Sequence, residues 1–335
     1  MAMSSPGSPS RARRALASAV DRLLDPTVVF SFDQTGFRRH SVGFDPTDLE
    51  VDLSGREVLV TGANSGIGKA TAQALAGLGA RVWMLCRSAE RGEAARAELA
   101  ARTGGDLRLL VVDMTDLDSV ARVVEALPVP RVDVLIHNAG ALVDSRQLSP
   151  QGLESTLAGH VVGPFALTAR LLPRLTRPAE QAPARVIWVS SGGMYSRRLS
   201  VKRLSAVDGP FDGVTAYADA KRAQVVLSEL WAERLAGRGV VSHAMHPGWA
   251  ATPGVARSIP TFERVTRRIL RTPEEGADTV IWLAACERVG HETGRFWFDR
   301  RPVPTVMLPG TREAPQERAA LWQALEGWSG ITAPP

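Results

Sequence analysis

The stretch EVLVTGANSGIG, Glu57 to Gly68, constrains this chain more than any other. A short apolar, β-branched run ends in glycine, two more glycines follow, and a helix-like stretch then runs from about Gly66 to Leu78. Each glycine has a distinct use in a strand–turn–helix unit. Gly62 lets the chain turn tightly, Gly66 lets the backbone approach a pyrophosphate, and Gly68 lets helix and strand pack closely. The start of the helix then presents unpaired N–H groups and a partial positive charge to a phosphate. A glycine triplet alone is weak evidence, but the flanking strand and helix strengthen it. A P-loop does not fit, because position 63 is Ala63 and the residue after Gly68–Lys69 is Ala70.

The same alternation continues along the chain. Strand-like runs recur at 81–86, 107–114, 132–140, 185–191, 240–248 and 294–298. Helix-like runs lie between them at 88–102 and 116–127, near 151–172, near 215–236 and near 273–285. Apolar strands alternating with helices predict an α/β fold with a parallel sheet covered on both faces. One domain is expected over roughly 50–310, with an N-terminal arm (1–49) before it and a proline-rich C-terminal tail (311–335) after it. Within the arm, 1–10 is Ser/Pro/Gly-rich and expected to be disordered. Residues 11–24 repeat apolar positions at Leu16, Val20, Leu23 and Leu24, the pattern of an amphipathic helix. That helix could lie on a membrane surface, but packing on its own domain or on a partner subunit is the preferred reading. Residues 25–54 read as irregular.

Composition removes several function classes. The formal charge of +5 comes from arginines interleaved with acids, as in RSAERGEAARAEL, so it describes solvated helix faces and not a nucleic-acid site. The two cysteines, Cys86 and Cys286, lack metal-ligand neighbours and imply a reducing compartment. No window approaches the ~18 apolar residues of a membrane span. Asp21 and Arg22 interrupt the only early apolar run, so no signal peptide is expected and the cytoplasm is the default location.

The chain has only two tyrosines and three lysines, yet Tyr217 and Lys221 fall four apart in a helical segment, on one face. A free phenol titrates near ~10, too high for easy proton exchange at neutral pH. A neighbouring ammonium is expected to lower that value and let Tyr217 give a proton to a carbonyl oxygen, or take one back. Such a pair is common on ordinary helices and means little in isolation. At the end of the second strand, where an NAD site places an acid for the ribose 2′-hydroxyl, the residues are Cys86 and Arg87. With no carboxylate to repel a 2′-phosphate and an arginine to bind it, NADP(H) is expected over NAD(H).

Five ordered motifs between Thr61 and Pro253, namely the glycine loop, HNAG (137–140), VSS (189–191), YADAK (217–221) and HPGWAATP (246–253), resemble the short-chain dehydrogenase/reductase family. The longer runs FDG…YADAKRAQVVLSELWAE and GRF…DRRPV resemble a branch close to the retinol-dehydrogenase-like members. The resemblance implies a Rossmann-like, doubly wound sheet of seven parallel strands in the order 3-2-1-4-5-6-7. It implies cofactor contacts at Gly62, Asn64, Ser65, Gly66, Ile67, Gly68, Arg87, Asp113 and Met114. It extends them to Asn138, Ala139, Gly140, Tyr217, Lys221, Pro247, Gly248 and Thr252. Asp113 would contact adenine, Asn138–Gly140 would floor that pocket, and Thr252 would contact the nicotinamide carboxamide. Ser191, in preference to Ser190, would polarise the substrate oxygen, and Lys221 would also bond the nicotinamide ribose. His160 stands where the family often has asparagine. It is expected to relay protons, with a pKa near ~6.5, to be a packed, satisfied core histidine, or, as a third possibility, to mark impaired chemistry.

The expected activity is transfer of hydride between NADP(H) and a lipophilic aldehyde, ketone or alcohol. Val255, Ile259, Phe262 and Ile269, with Met194 and Trp249, are expected to line the pocket, and residues 253–271 to form its lid. Tyr195 lacks a lysine partner and should be dispensable for chemistry. His243 and His246 should point to opposite faces of their strand, a poor metal pair. A non-catalytic, NADP(H)-binding regulatory protein is the alternative. A sugar-nucleotide epimerase would need a larger C-terminal substrate domain than the residues after Pro309 supply. Homo-oligomerisation is left open.

Overall fold

The computed structural model describes residues 20–21, 24–178, 180–251, 264 and 266–333. Thr252, Val255, Ile259, Phe262 and most of the 11–24 segment lie outside the described residues.

The strands are β1 (Glu57–Thr61), β2 (Arg81–Cys86), β3 (Leu107–Val111), β4 (Val134–His137), β5 (Ala184–Val189), β6 (Val240–Met245), β7 (Arg295–Phe298) and β8 (Arg301–Pro302). They form one sheet in the order β3-β2-β1-β4-β5-β6-β7-β8. The first seven pair in parallel in the expected order. The sheet gains an eighth, antiparallel strand at the β7 edge, where Trp297 pairs with Pro302 and Phe298 with Arg301. That two-residue strand follows the tight turn at Asp299 and Arg300, both at positive φ, and is too short to leave a periodic signal in sequence.

Both sheet faces are buried, as a parallel sheet requires. Leu59, Leu135, Val186, Trp188 and Ala244 point into one apolar cluster. Val58, Val60, Val134, Ile136, Ile187 and Met245 point into the other. This is the period-2 alternation of a strand applied to two cores. Eight helices of eight residues or more are labelled here: α1 (Gln34–Ser41), α2 (Gly66–Gly77), α3 (Ala89–Thr103), α4 (Leu117–Ala126), α5 (Gly163–Leu175), α6 (Gly213–Arg234), α7 (Pro273–Ala285) and α8 (Pro315–Ser329). α2, α3 and α7 cover one face. α4, α5, α6 and α8 cover the other. α7 starts sharply because Thr272 and Glu275 form a reciprocal capping box ahead of Pro273. Ahead of α5, residues Ala158–Val162 widen into a π turn.

Two segments depart from expectation. The arm is not irregular after Asp25. A helical turn at Val29–Phe32 leads into α1, capped by the Asp33 carboxylate, which accepts the Gly36 N–H at 2.8 Å. Nor is the stretch after 310 only a tail. In α8, Leu321, Trp322 and Leu325 are buried, and Trp322 packs edge-on against Phe165 of α5 and Trp231 of α6. Full burial of such side chains contributes about 1.5–3 kcal/mol each, which outweighs a proline-rich lead-in.

Candidate active site

The crevice opens where the strand order reverses, between the C-terminal ends of β1 and β4. Asn138, just past β4, ties it together. Its side-chain amide donates to the carbonyls of Thr61 at 2.9 Å and Gly62 at 3.3 Å. The Thr61 hydroxyl accepts the backbone N–H groups of Asn138 and Ala139, each at 2.9 Å. The glycines are then forced by space. A Cβ on Gly68 would lie 2.3 Å from the Asn138 amide nitrogen and 2.4 Å from the Gly62 carbonyl oxygen. Gly62 has φ +68 and would meet the Ala139 backbone. Gly66 also has positive φ, at +54.

The start of α2 suits a phosphate. Its capping residue, Ser65, is exposed and makes no side-chain capping bond, so its hydroxyl is uncommitted. The first N–H groups of the 12-residue helix point out of its end with Asn64, Ser65, Gly66, Ile67 and Gly68 around them. Arg87, beyond the end of β2, is exposed and makes no ion pair with any described residue. Asp113 uses one carboxylate oxygen to hold Thr115, accepting from its N–H at 2.9 Å and its hydroxyl at 2.8 Å. The neighbouring Met114 is buried, and its carbonyl oxygen would lie 2.0 Å from a Cβ on Gly163, which brings α5 to the crevice wall. Together, the unfilled donors and the close-packed glycines fit a dinucleotide.

On the other side of β4, the residues of the proton-transfer reading meet. Ser191, just past β5, lies beside Tyr217 of α6, and its hydroxyl accepts the Gly193 N–H at 3.3 Å. Ser190 instead donates to the Lys221 carbonyl at 2.9 Å and is buried, so the two serines have separate jobs. The Lys221 ammonium lies 5.3 Å from the Tyr217 ring centre. It donates to the Val189 carbonyl at 2.8 Å and the Gln224 side-chain oxygen at 2.9 Å.

Electrostatics correct one expectation. Burial pushes Tyr217 up to about 12, against the opposing effect of the neighbouring Ser191 hydroxyl. Burial also pulls Lys221 down to about 7. The lysine therefore does not drive Tyr217 to phenolate in the ligand-free protein, because desolvation disfavours both charges. Tyr217 stands as a protonated donor.

His160 sits in the π turn, fully enclosed. Its Nε2 is 3.0 Å from both the N–H and the carbonyl of Ala141, and its ring meets Tyr217 edge-on with centres 5.4 Å apart. Burial first, then the Lys221 charge, holds its pKa well below 6.5. The ring is neutral near neutral pH and bonds backbone. The ring is packed against backbone through Nε2, while its buried Nδ1 has no hydrogen-bond partner among the described residues.

Several other expectations are resolved. Met194 is fully buried in the core beside Arg222, so it does not line the pocket. The Tyr195 hydroxyl donates to the Pro304 carbonyl at 3.0 Å, a structural bond. His246 is buried and stacks on Phe298 with ring centres 4.1 Å apart, while His243 accepts from the Trp297 indole at 3.1 Å.

Among the residues that sequence reasoning missed are several of the arm and the buried pair that holds it. Phe32 lies against Gly192, Trp249 and His246. The Phe32 carbonyl accepts the Trp249 N–H at 2.8 Å, and Gln34 donates its N–H to the Ile269 carbonyl at 2.8 Å. Buried Arg271 donates twice to Asp299, at 2.5 and 2.8 Å, and also to the carbonyls of Ser31, Asp33 and Pro247. His40 closes this node with Nδ1 2.6 Å from Asp299. The arm thus braces Pro247 and Gly248 from behind. Its only sequence signal was Phe32 in a short apolar run, which did not specify a target.

Comparison with known proteins agrees with this geometry. The family model for short chain dehydrogenase matches residues 56–261. The chain is 40% identical over 300 residues to human dehydrogenase/reductase SDR family member 12, covering 88% of this chain and 93% of that protein. It is 34% identical over 255 residues to bovine retinol dehydrogenase 12, covering 75% and 79%. Among solved structures, an uncharacterised protein from Mycobacterium paratuberculosis superposes with a TM-score of 0.68 at 29% identity, covering 85% and 97%. The Pseudomonas aeruginosa RhlG/NADP active-site complex superposes at 0.60 and 28%, covering 73% and 94%. The sheet order, the glycine crevice and the Ser191–Tyr217–Lys221 cluster thus coincide with a match across most of the chain, and the protein belongs to the short-chain dehydrogenase/reductase family of oxidoreductases acting on CH–OH and C=O groups.

Proposed function

We propose that this oxidoreductase uses NADP(H) to interconvert a lipophilic aldehyde or ketone and its alcohol, with Tyr217 as the acid/base. One observation carries the reading: Tyr217 beside Ser191, with the Lys221 Nζ 5.3 Å from its ring centre, next to a crevice built for a dinucleotide. A bound nicotinamide supplies or accepts the hydride. The chain's own residues manage the proton and the positioning. Tyr217 donates its hydroxyl proton to the substrate oxygen as negative charge develops there, and the Ser191 hydroxyl polarises the same oxygen. In the oxidation direction Tyr217 must first lose its proton, and the Lys221 charge stabilises the phenolate.

Asn64, Ser65, Gly66, Ile67 and Gly68 would cradle the pyrophosphate. Asp113 and Met114 would border adenine, and Asn138, Ala139 and Gly140 would floor the site. Pro247, Gly248 and Thr252 would face the nicotinamide end. Preference for NADP(H) rests on Arg87, free of ion pairs among the described residues, which suits a 2′-phosphate. The similar Pseudomonas aeruginosa RhlG structure is an NADP complex. The lipophilic substrate class draws support from half-buried Trp249, which packs against Phe32, and from relatives named for retinol. The setting we favour is the cytoplasm, since Cys86 and Cys286 are both free. Among the described residues no helix is long and apolar enough to cross a membrane.

The test is NADPH oxidation with a panel of lipophilic aldehydes and ketones, run beside Tyr217→Phe and with NADH for comparison. Turnover that prefers NADPH and falls by about 10²–10⁴ in Tyr217→Phe is expected. Full turnover in that variant would end the acid/base assignment. Tight NADPH binding with no turnover across the panel would favour the regulatory alternative.

A further inference from the structure

Lys221 carries three N–H donors, and the fold occupies two of them. One goes to the Val189 carbonyl of β5 and one to the side-chain oxygen of Gln224, three residues along α6. Gln224 is wholly buried, and its amide nitrogen donates to the His160 backbone carbonyl at 2.8 Å. That second bond fixes the orientation of the amide, since a flip would set its NH₂ against the ammonium and its oxygen against a carbonyl. A chain from Lys221 through Gln224 to the His160 backbone therefore ties α6 to the π turn.

We propose that Gln224 is a positioning residue for the reaction: it holds Lys221 as an ammonium beside Tyr217, with one N–H left to face the pocket. The proposal rests on the acid/base assignment of Tyr217. A buried ammonium loses its proton unless acceptors hold it, and burial has already brought Lys221 down to about 7. The titratable groups facing it are Tyr217 on its own helix and His160 from the π turn. β5 brings the Val189 carbonyl and Ser190, and the loop after β4 brings Gly140. The nearby charges on α6 are engaged elsewhere, Asp219 with Arg197 and Arg203, and Arg222 with Glu313. Among the described residues, the Gln224 oxygen is the side-chain acceptor bonded to Lys221. An amide cannot pass a proton along, so it secures the charge without offering a path for the proton to leave.

The test uses the scarcity of lysine. With side-chain-labelled lysine, NMR of the ligand-free protein gives three resonances, and exposed Lys202 and partly exposed Lys69 serve as internal controls for buried Lys221. Gln224→Met keeps the volume and removes the acceptor. It should lower the Lys221 midpoint by about one pH unit, a tenfold loss of proton affinity. The acid limb of kcat/KM for alcohol oxidation should move to higher pH. Gln224→Glu should raise the Lys221 midpoint, and it carries the test if the methionine variant does not fold. A purely structural role would lower melting temperature and total rate while leaving both the midpoint and the limb in place. Unmoved midpoints in both variants would overturn the proposal, even with Tyr217→Phe inactive. Turnover by Tyr217→Phe would instead remove the underlying assignment, and the NMR midpoints would still report on Gln224 and Lys221.

Discussion

Asp299→Asn should expose how strongly the N-terminal arm is bound into the fold. Asp299 is buried at positive φ just after β7. Its carboxylate accepts two bonds from Arg271, at 2.5 and 2.8 Å, and lies 2.6 Å from His40 Nδ1. Arg271 in turn holds the carbonyls of Ser31 and Asp33 in the arm, and Pro247 beyond β6. Asparagine keeps the shape and one acceptor oxygen but removes the charge, which leaves a buried guanidinium without its counterion. Breaking a buried pair in this way costs about 3–5 kcal/mol. At about 2 °C per kcal/mol for a domain this large, the melting midpoint should fall by roughly 6–10 °C.

The pH dependence has two signs. Burial opposes the charge on Asp299, but His40 and Arg271 outweigh it and hold the pKa below 3.8. Its stabilisation is therefore present above the ordinary value and lost as pH falls. Burial likewise opposes charge on His40, but Asp299 and Asp25 raise its pKa above 6.5. That contribution is complete below 6.5 and lost as pH rises through the raised value. The node is complete from about pH 4 to about pH 6.5. Urea unfolding at a series of pH values would measure this. Asp299→Asn should flatten the decline above pH 6.5 as well as lower the plateau. A variant within about 0.5 kcal/mol of wild type, or one with an unchanged slope above pH 6.5, would refute the reasoning.

Other perturbations act on the site itself. Arg87→Ala should weaken NADPH binding by roughly tenfold or more while leaving NADH nearly unchanged, since a charge-assisted bond contributes about 1.5–3 kcal/mol; equal losses for both cofactors, measured by fluorescence titration, would count against the 2′-phosphate role. Gly68→Ala must push α2 away from Asn138 and Gly62 and should cost about 1–3 kcal/mol of stability together with dinucleotide affinity, read by thermal melts with and without NADPH. His160→Asn should leave the pH profile in place, because the neutral ring bonds only backbone; a displaced limb would restore a proton-transfer role. Cys86, which burial pushes up to about 11, should resist thiol reagents in the native protein and react only after unfolding.

What the amino-acid sequence determined by itself was the part governed by local periodicity and backbone sterics. Apolar strands of 4–6 residues alternating with helices dictate a parallel sheet with both faces covered, and the order of the seven parallel strands follows from the family resemblance. The glycine loop was legible because Gly62 and Gly66 need positive φ and Gly68 has no room for a Cβ. Tyr217 and Lys221 were legible because four residues make a helical turn. The tertiary structure alone decided what depends on groups brought together from far along the chain. Whether Lys221 lowers the Tyr217 pKa turns on desolvation, which no spacing reveals. Gln224 was hidden because its partner, the His160 carbonyl, is 64 residues away. The arm was read as irregular because its helices are short and are held by Arg271 and Asp299, more than 230 residues on. Short elements like these lack enough local hydrogen bonds to form alone, so long-range burial and charge pairing determine their structure, and local sequence carries little trace of either.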